Sequence, residues 1–187
     1  MYLIHAPDNQ GTTPEEVRRL RLESWQVLEE AHRRGVLRAI GVSNFEARHI
    51  DALLEGRPDA IVPAVNQIEL HPMMDQRANL AYCAKQGIVV EAYGAIGADG
   101  VLEQPLVREL GDKYGRTPAQ VSLRHTLQQG EDEDGAPIVL LAKSLTQSRI
   151  EENLRVFDWE LLEEDARALD KLATKGGRSY WDNTDVP

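Results

Sequence analysis

Lys143, Ser144 and Arg149 stand where three sources of positive potential can converge. The apolar run from Pro137 to Leu141, with β-branched Ile138 and Val139, suits a buried strand. Thr146 or Ser148 can cap the helix that follows, and Ser148-Arg149-Ile150-Glu151 spells a capping box. A strand ending in Lys-Ser and leading into a helix start offers an ammonium, a guanidinium and unpaired backbone N–H groups, which is the chemistry of a phosphate site. On this stretch alone, a solvated loop with ordinary charges fits equally well. A second set of polar side chains, His5, Ser43, Asn44, Gln67 and Tyr93, falls at the ends of other apolar runs and could hydrogen-bond or stack on a ligand. Local turn bonding by Ser43 and Asn44 and core packing by Tyr93 remain open alternatives.

The elements that must position these residues alternate in type. Tyr2 to His5 reads as a short strand closed by Ala6-Pro7-Asp8-Asn9. Pro14 to Arg34 reads as a helix capped by Thr13, with Val17, Leu20, Trp25, Leu28 and Ala31 as its apolar stripe and Gly35 as its stop. Strands follow at Val36 to Val42, Pro63 to Glu69, Ile88 to Tyr93 and Pro137 to Leu141. Between and after them come helices at Glu46 to Leu54, Asp75 to Lys85, Gln104 to Tyr114, Pro118 to Gln129, 147 to 154 and Glu163 to Ala173, then a tail from Gly176 to Pro187. Strand-helix alternation implies a parallel sheet with helices outside, in which loops after strand C-termini build the active face. His5, Ser43, Asn44, Gln67, Tyr93, Lys143 and Ser144 all fall on that face. The acidic loop 131–134 falls on the other and reads as merely solvated.

The 187 residues suffice for one domain, residues 1–187, with a sizeable core. Net charge is −10, which argues against non-specific attraction to nucleic acid or an anionic membrane, so an anionic ligand needs a local cationic cluster. No run approaches a membrane span. A single cysteine, Cys83, cannot form an intrachain disulfide, and a reducing, cytoplasmic setting is expected. The histidines at 5, 32, 49, 71 and 125 show no close ligand pairing, so no metal site is expected. Gly41-Val42-Ser43-Asn44-Phe45 lacks the closing glycine of a nucleophile elbow, and Gly94-Ala95-Ile96-Gly97 lacks the spacing of a dinucleotide fingerprint. Cys83 and Tyr82 read as packing residues on their helix.

Six motifs in order, Leu3-Ile4-His5-Ala6-Pro7, Ile40 to Phe45, Pro63 to Pro72, Glu91-Ala92-Tyr93, Thr117 to Arg124 and Lys143-Ser144 through Arg149 to Asn153, span nearly the whole chain. In them the chain resembles the aldo-keto reductases, NADP(H)-dependent enzymes on a TIM-type (β/α)8 barrel that reduce aldehydes and ketones to alcohols. The resemblance implies an incomplete barrel of about five of eight βα units plus a C-terminal helix and tail. It implies NADP(H) as cofactor and His5 as the catalytic donor to the oxygen of a small-molecule carbonyl substrate. Ser43, Asn44 and Gln67 would bind the nicotinamide carboxamide, Tyr93 would stack on its ring, and Lys143, Ser144 and Arg149 would clamp the adenosine 2'-phosphate. Glu152 and Asn153 would contact adenine, although by residue type alone they are helix surface.

The family's catalytic constellation also contains an aspartate, a tyrosine and a lysine from strands and loops that precede the histidine strand. The chain starts at that strand, so the expectations are impaired catalysis, a truncated gene model or fragment, or a non-catalytic NADPH-binding or interaction protein. Five βα units leave two strand edges unpaired, so self-association through open barrel edges is expected too. Gly94 stands where the family commonly has serine. Tyr180 and Trp181 in the tail could shape a substrate pocket or pin the tail to the barrel.

Overall fold

In the computed structural model, residues 1–8, 10–131, 135–173, 180 and 185–187 are described. Five strands, β1 (Tyr2–Ile4), β2 (Ile40–Ser43), β3 (Val65–Glu69), β4 (Val89–Tyr93) and β5 (Ile138–Leu140), form one sheet in the order β1-β2-β3-β4-β5. Every neighbouring pair is parallel. The sheet is an arc: among the described residues β1 pairs with β2 and β5 with β4, and the two ends do not meet. The helices are α1 (Pro14–Arg33), α2 (Ala47–Leu54), α3 (Arg77–Gln86), α4 (Pro105–Tyr114), α5 (Pro118–Gln128), α6 (Gln147–Leu154) and α7 (Glu163–Asp170), with a one-turn 3-10 helix, Arg155–Phe157, after α6. Among the described residues no helix is long and apolar enough to cross a membrane.

The strand side chains alternate between two faces. Ile40, Val42, Ile68, Val90 and Ala92 pack outward against Trp25, Phe45, Leu53 and Cys83 in the main core. The other face carries Gly41, Val65 and Val89 in one in-register row, and Ser43, Gln67, Glu91 and Val139 in the next. Register therefore sets three polar side chains from three strands side by side on the inner face. Gly41 must lack a side chain, because a Cβ there would lie 2.6 Å from the Val65 carbonyl oxygen and 2.7 Å from the Leu3 side chain.

Several boundaries differ from those that periodicity suggests. The second strand begins at Ile40 rather than Val36, because Gly35, at φ +74°, turns the chain and the amides of Val36 and Leu37 bond back to Ala31. Val36 is 67% exposed. The buried face of α1 is partly charged: Arg21 and Glu29 are buried with Val17 and Trp25, while Leu20 and Leu28 are half-buried. Arg21 donates to the Pro7 carbonyl at 2.7 Å and to the Pro187 carbonyl, and burial lowers its pKa to about 10. Glu29 meets Arg57 and takes the Ile61 amide at 2.8 Å. Buried charges with such partners are tolerated where isolated ones are not. The loop before β5 is more than solvated, since Glu131 accepts from buried Arg124 at 2.7 Å. Residues 132–134 lie outside the described residues.

The β5 end of the arc is apolar. Val139 is 47% exposed and Phe157 68% exposed, and with Ile150 and Leu154 they line a hollow of about 350 Å³ beside β5. Cys83 is fully buried, and burial pushes its thiol up to about 11. Gly41→Ala is expected to lower stability by about 1–3 kcal/mol through overpacking against backbone that cannot yield. A drop in melting temperature of several degrees relative to wild type would bear this out, and an unchanged melt would contradict the close approach.

Candidate functional site at the strand C-termini

At the C-terminal end of β2 the backbone of Asn44 enters the left-handed region, φ +61°, which asparagine tolerates better than most residues. Its amide N–H donates to the Gln67 carbonyl at 2.8 Å. Asn44 Nδ2 donates to the His5 carbonyl at 2.9 Å and to Ser43 Oγ at 3.1 Å. Its Oδ1 accepts the Tyr93 hydroxyl at 2.6 Å. Ser43 Oγ donates in turn to the Gln67 carbonyl at 2.8 Å. One asparagine thus ties together the ends of β1, β2, β3 and β4.

Five of the sequence candidates, His5, Ser43, Asn44, Gln67 and Tyr93, therefore belong to one hydrogen-bonded network. His5 enters it through its carbonyl, and the residue is exposed. Both amide hydrogens of Asn44 are directed to protein acceptors, so its side chain braces the turn. Gln67 is half-buried; its Nε2 donates to Glu91 Oε2 at 2.7 Å, while among the described residues its Oε1 has no hydrogen-bond partner. Tyr180 packs edge-on to Tyr93 with ring centroids 5.8 Å apart, and its hydroxyl donates to the Gly97 carbonyl. Its backbone N–H donates to Glu69 Oε2 at 3.3 Å, so this part of the tail is pinned at the site. Trp181 lies outside the described residues. Gly94, at φ +82°, lies where an added Cβ would be 3.2 Å from the Tyr180 ring.

The remaining candidates form a second cluster beyond β5. Lys143, Ser144, Arg149, Glu152 and Asn153 line a hollow of about 480 Å³ together with Arg108 and Thr117. Lys143 and Arg149 are exposed, and among the described residues no carboxylate pairs with either. Glu152 is held from α5: Thr117 Oγ1 donates to its carboxylate at 2.6 Å, and Gln120 Nε2 donates to its carbonyl at 3.1 Å. Helix α6 starts two residues earlier than the capping-box reading requires. Thr146 is the N-cap and makes no side-chain cap bond, Ser148 lies inside the first turn, and Glu151 instead accepts from Gln147 at 2.8 Å. Among the described residues the N-cap side chain of α6 thus leaves the N–H groups at its start without a cap bond.

The β4–α4 connection reaches both clusters. Its Gly97 carbonyl takes Tyr180, its Ala95 carbonyl takes Ser122 Oγ, and Ile96, Leu102 and Glu103 line the second hollow. Sequence reasoning missed Glu91, Thr117 and Arg108 as parts of the site. Glu91 had a signal: an ionisable residue at an inner-face position of the run Val89-Val90-Glu91-Ala92-Tyr93. Thr117 was legible only as a cap, because its bond to Glu152 spans 35 positions.

Sequential parallel strands with helices outside, and polar side chains gathered at the strand C-termini, define a protein of the (β/α)-barrel class. The model of the Aldo/keto reductase family matches residues 1–174, and the chain belongs to that family. An aldo-keto reductase of Mycolicibacterium vanbaalenii is 41% identical over 173 residues, covering 92% of this chain and 56% of that protein. Estradiol 17 beta-dehydrogenase 5 of Mus musculus is 34% identical, covering 88% of this chain and 54% of that one. The methylglyoxal reductase DkgA of Escherichia coli is 37% identical, covering 81% and 52%. The chain thus spans little more than half the length of these relatives. Among solved structures, the apo form of Gox0644 superposes with a TM-score of 0.80 at 35% identity, covering 97% of this chain and 61% of that one. An aldo/keto reductase from Brucella melitensis gives a TM-score of 0.75 at 30% identity, covering 91% and 60%.

The turn that carries Asn44 continues into α2, whose start depends on His49. His49 Nδ1 accepts the Glu46 amide at 3.1 Å, so Nε2 carries the ring hydrogen and donates to the Val186 carbonyl at 2.9 Å. Burial chiefly holds its pKa below 6.5, with Arg21 and Arg48 adding to the effect against the opposing Val186 bond and Glu46 charge. The unfolded chain takes up a proton that the native chain resists, so this contribution is present above the unfolded pKa and is lost as pH falls through the native one. Between about pH 7.5 and about pH 5.5 the urea midpoint is expected to fall in wild type and to fall less in His49→Gln. Equal slopes for the two proteins would show that His49 does not titrate as its surroundings imply.

Proposed function

We propose that the strand C-terminal face of this chain binds NADP(H), and that the protein is of the carbonyl-reducing oxidoreductase lineage. The observation that carries the reading is the hollow beyond β5. It gathers Lys143, Arg149, Ser144 and a helix start without a side-chain cap, and no carboxylate among the described residues pairs with the two cations. In a chain of net charge −10 that arrangement suits a phosphate monoester. Lys143, Ser144 and Arg149 would hold the 2'-phosphate and Glu152 and Asn153 would border the adenine. Gln67, with Ser43 and Asn44, would meet the carboxamide, and Tyr93 would face the ring.

When bound, the dinucleotide supplies the hydride for reduction of an aldehyde or ketone. His5 would donate an N–H to the carbonyl oxygen. The family's aspartate, tyrosine and lysine are not supplied by these 187 residues, so binding without ordinary turnover is part of the proposal for this chain by itself. A cytoplasmic setting accords with it. A second reading, association of copies along the open edges, is favoured by the apolar hollow beside β5 and by exposed Val139 and Phe157. Sedimentation is expected to report a concentration-dependent dimer that Val139→Lys dissociates; a monomer at all concentrations would rule this out.

Tryptophan-fluorescence titration tests the main reading. NADPH is expected to bind more tightly than NADH, and joint replacement Lys143→Ala with Arg149→Ala to weaken NADPH about a hundredfold while barely changing NADH. NADPH consumption with a broad carbonyl panel is expected to stay far below ordinary enzyme rates. Equal affinities for the two dinucleotides would overturn the phosphate assignment, and ordinary turnover would overturn the impairment.

A further inference from the structure

We propose that Glu91 is a positioning residue that fixes which end of the Gln67 amide faces a ligand. The inference rests on the cofactor reading above and deepens it at the carboxamide end. A glutamine amide can present either a carbonyl oxygen or an NH2 group, and only its neighbours decide which. Here the neighbour is set by the sheet: Gln67 and Glu91 are direct register partners on β3 and β4, both on the inner face. The Glu91 carboxylate accepts from Gln67 Nε2 at 2.7 Å, and its oxygens would face Oε1 with like partial charge in the opposite orientation. The carbonyl oxygen is left as the face of Gln67 without a partner among the described residues. Ser43 cannot release the strand end to rearrange, because its hydroxyl bonds the Gln67 backbone carbonyl at 2.8 Å.

An outward carbonyl oxygen accepts a hydrogen bond and cannot give one. The site is therefore built to receive a primary carboxamide through its NH2 group. A ligand with a methyl ketone in the same place would leave Gln67 Oε1 unpaired. Charge on Glu91 thus acts through Gln67 as a selector for carboxamide over acetyl substituents, without touching the ligand itself.

Three titrations test this, with NADPH, its 3-acetylpyridine analogue and adenosine 2',5'-bisphosphate as probes. Wild type is expected to prefer NADPH over the acetylpyridine analogue by about tenfold, the worth of one amide hydrogen bond. Glu91→Gln keeps the volume but can either donate or accept, so Gln67 can turn over and the preference is expected to fall to about twofold. Affinity for adenosine 2',5'-bisphosphate is expected to stay unchanged in the variant, which also reports that its fold is intact. If wild type binds the bisphosphate yet fails to discriminate the two dinucleotides, the orienting role is overturned without any variant. The same holds if Glu91→Gln binds the bisphosphate and keeps the full preference. If wild type does not bind adenosine 2',5'-bisphosphate, the cofactor reading itself fails, and this inference with it.

Discussion

A left-handed backbone conformation is unfavourable for a residue with a Cβ, yet Asn44 adopts one at the end of β2, where hydrogen bonds tie it to three neighbouring strands and a fourth to Ser43 of its own. The rest of the face depends on that turn. It holds the His5 carbonyl and Ser43 Oγ on one NH2 group, bonds the Tyr93 hydroxyl to the β2 end, and joins β2 to β3 through the Gln67 carbonyl. A side chain without both an amide donor and an amide acceptor could not make these connections. The turn also directs the chain into α2, where His49 at the third helical position takes the place of the usual Glu or Gln of a capping box, its imidazole accepting the Glu46 amide.

The sheet supplies what the turn cannot, which is lateral order. Parallel pairing in strict sequence order makes register cumulative, so Ser43, Gln67, Glu91 and Val139 fall in one row although they lie far apart in the chain. The close approach at Gly41 lets β2 fit between Leu3 and Val65 one row below. Polar groups in this row are affordable on the inner face because each finds a partner there, whereas the outer face packs apolar side chains against α1, α2 and α3 around one buried polar group, Asn66, whose Nδ2 donates to the Phe45 carbonyl at 2.9 Å.

Much of this was legible beforehand. Strand-helix alternation gave the parallel arrangement, and chemistry at strand ends pointed to the same residues that the fold gathers. Periodicity failed where a charged residue is buried by pairing, as at Arg21 and Glu29, since hydrophobicity registers a side chain and not its partner. It also failed at Val36, where a glycine turn outweighs β-branching. The link from Gln67 to Glu91 was invisible for a different reason: register between two strands is a tertiary fact, and neither strand alone carries it. The Thr117 to Glu152 bond is of the same kind.

Cys83 lies in the main core between the sheet and α3, fully buried and with its thiol pushed up to about 11. At neutral pH it is almost entirely protonated, and no reagent can reach it while that layer is closed. Its reaction therefore waits on opening of the layer between α3 and the sheet, the opening equilibrium multiplying the intrinsic rate of the thiol. That one sulfur atom is thus a reporter of local opening on the side of the sheet away from the polar face.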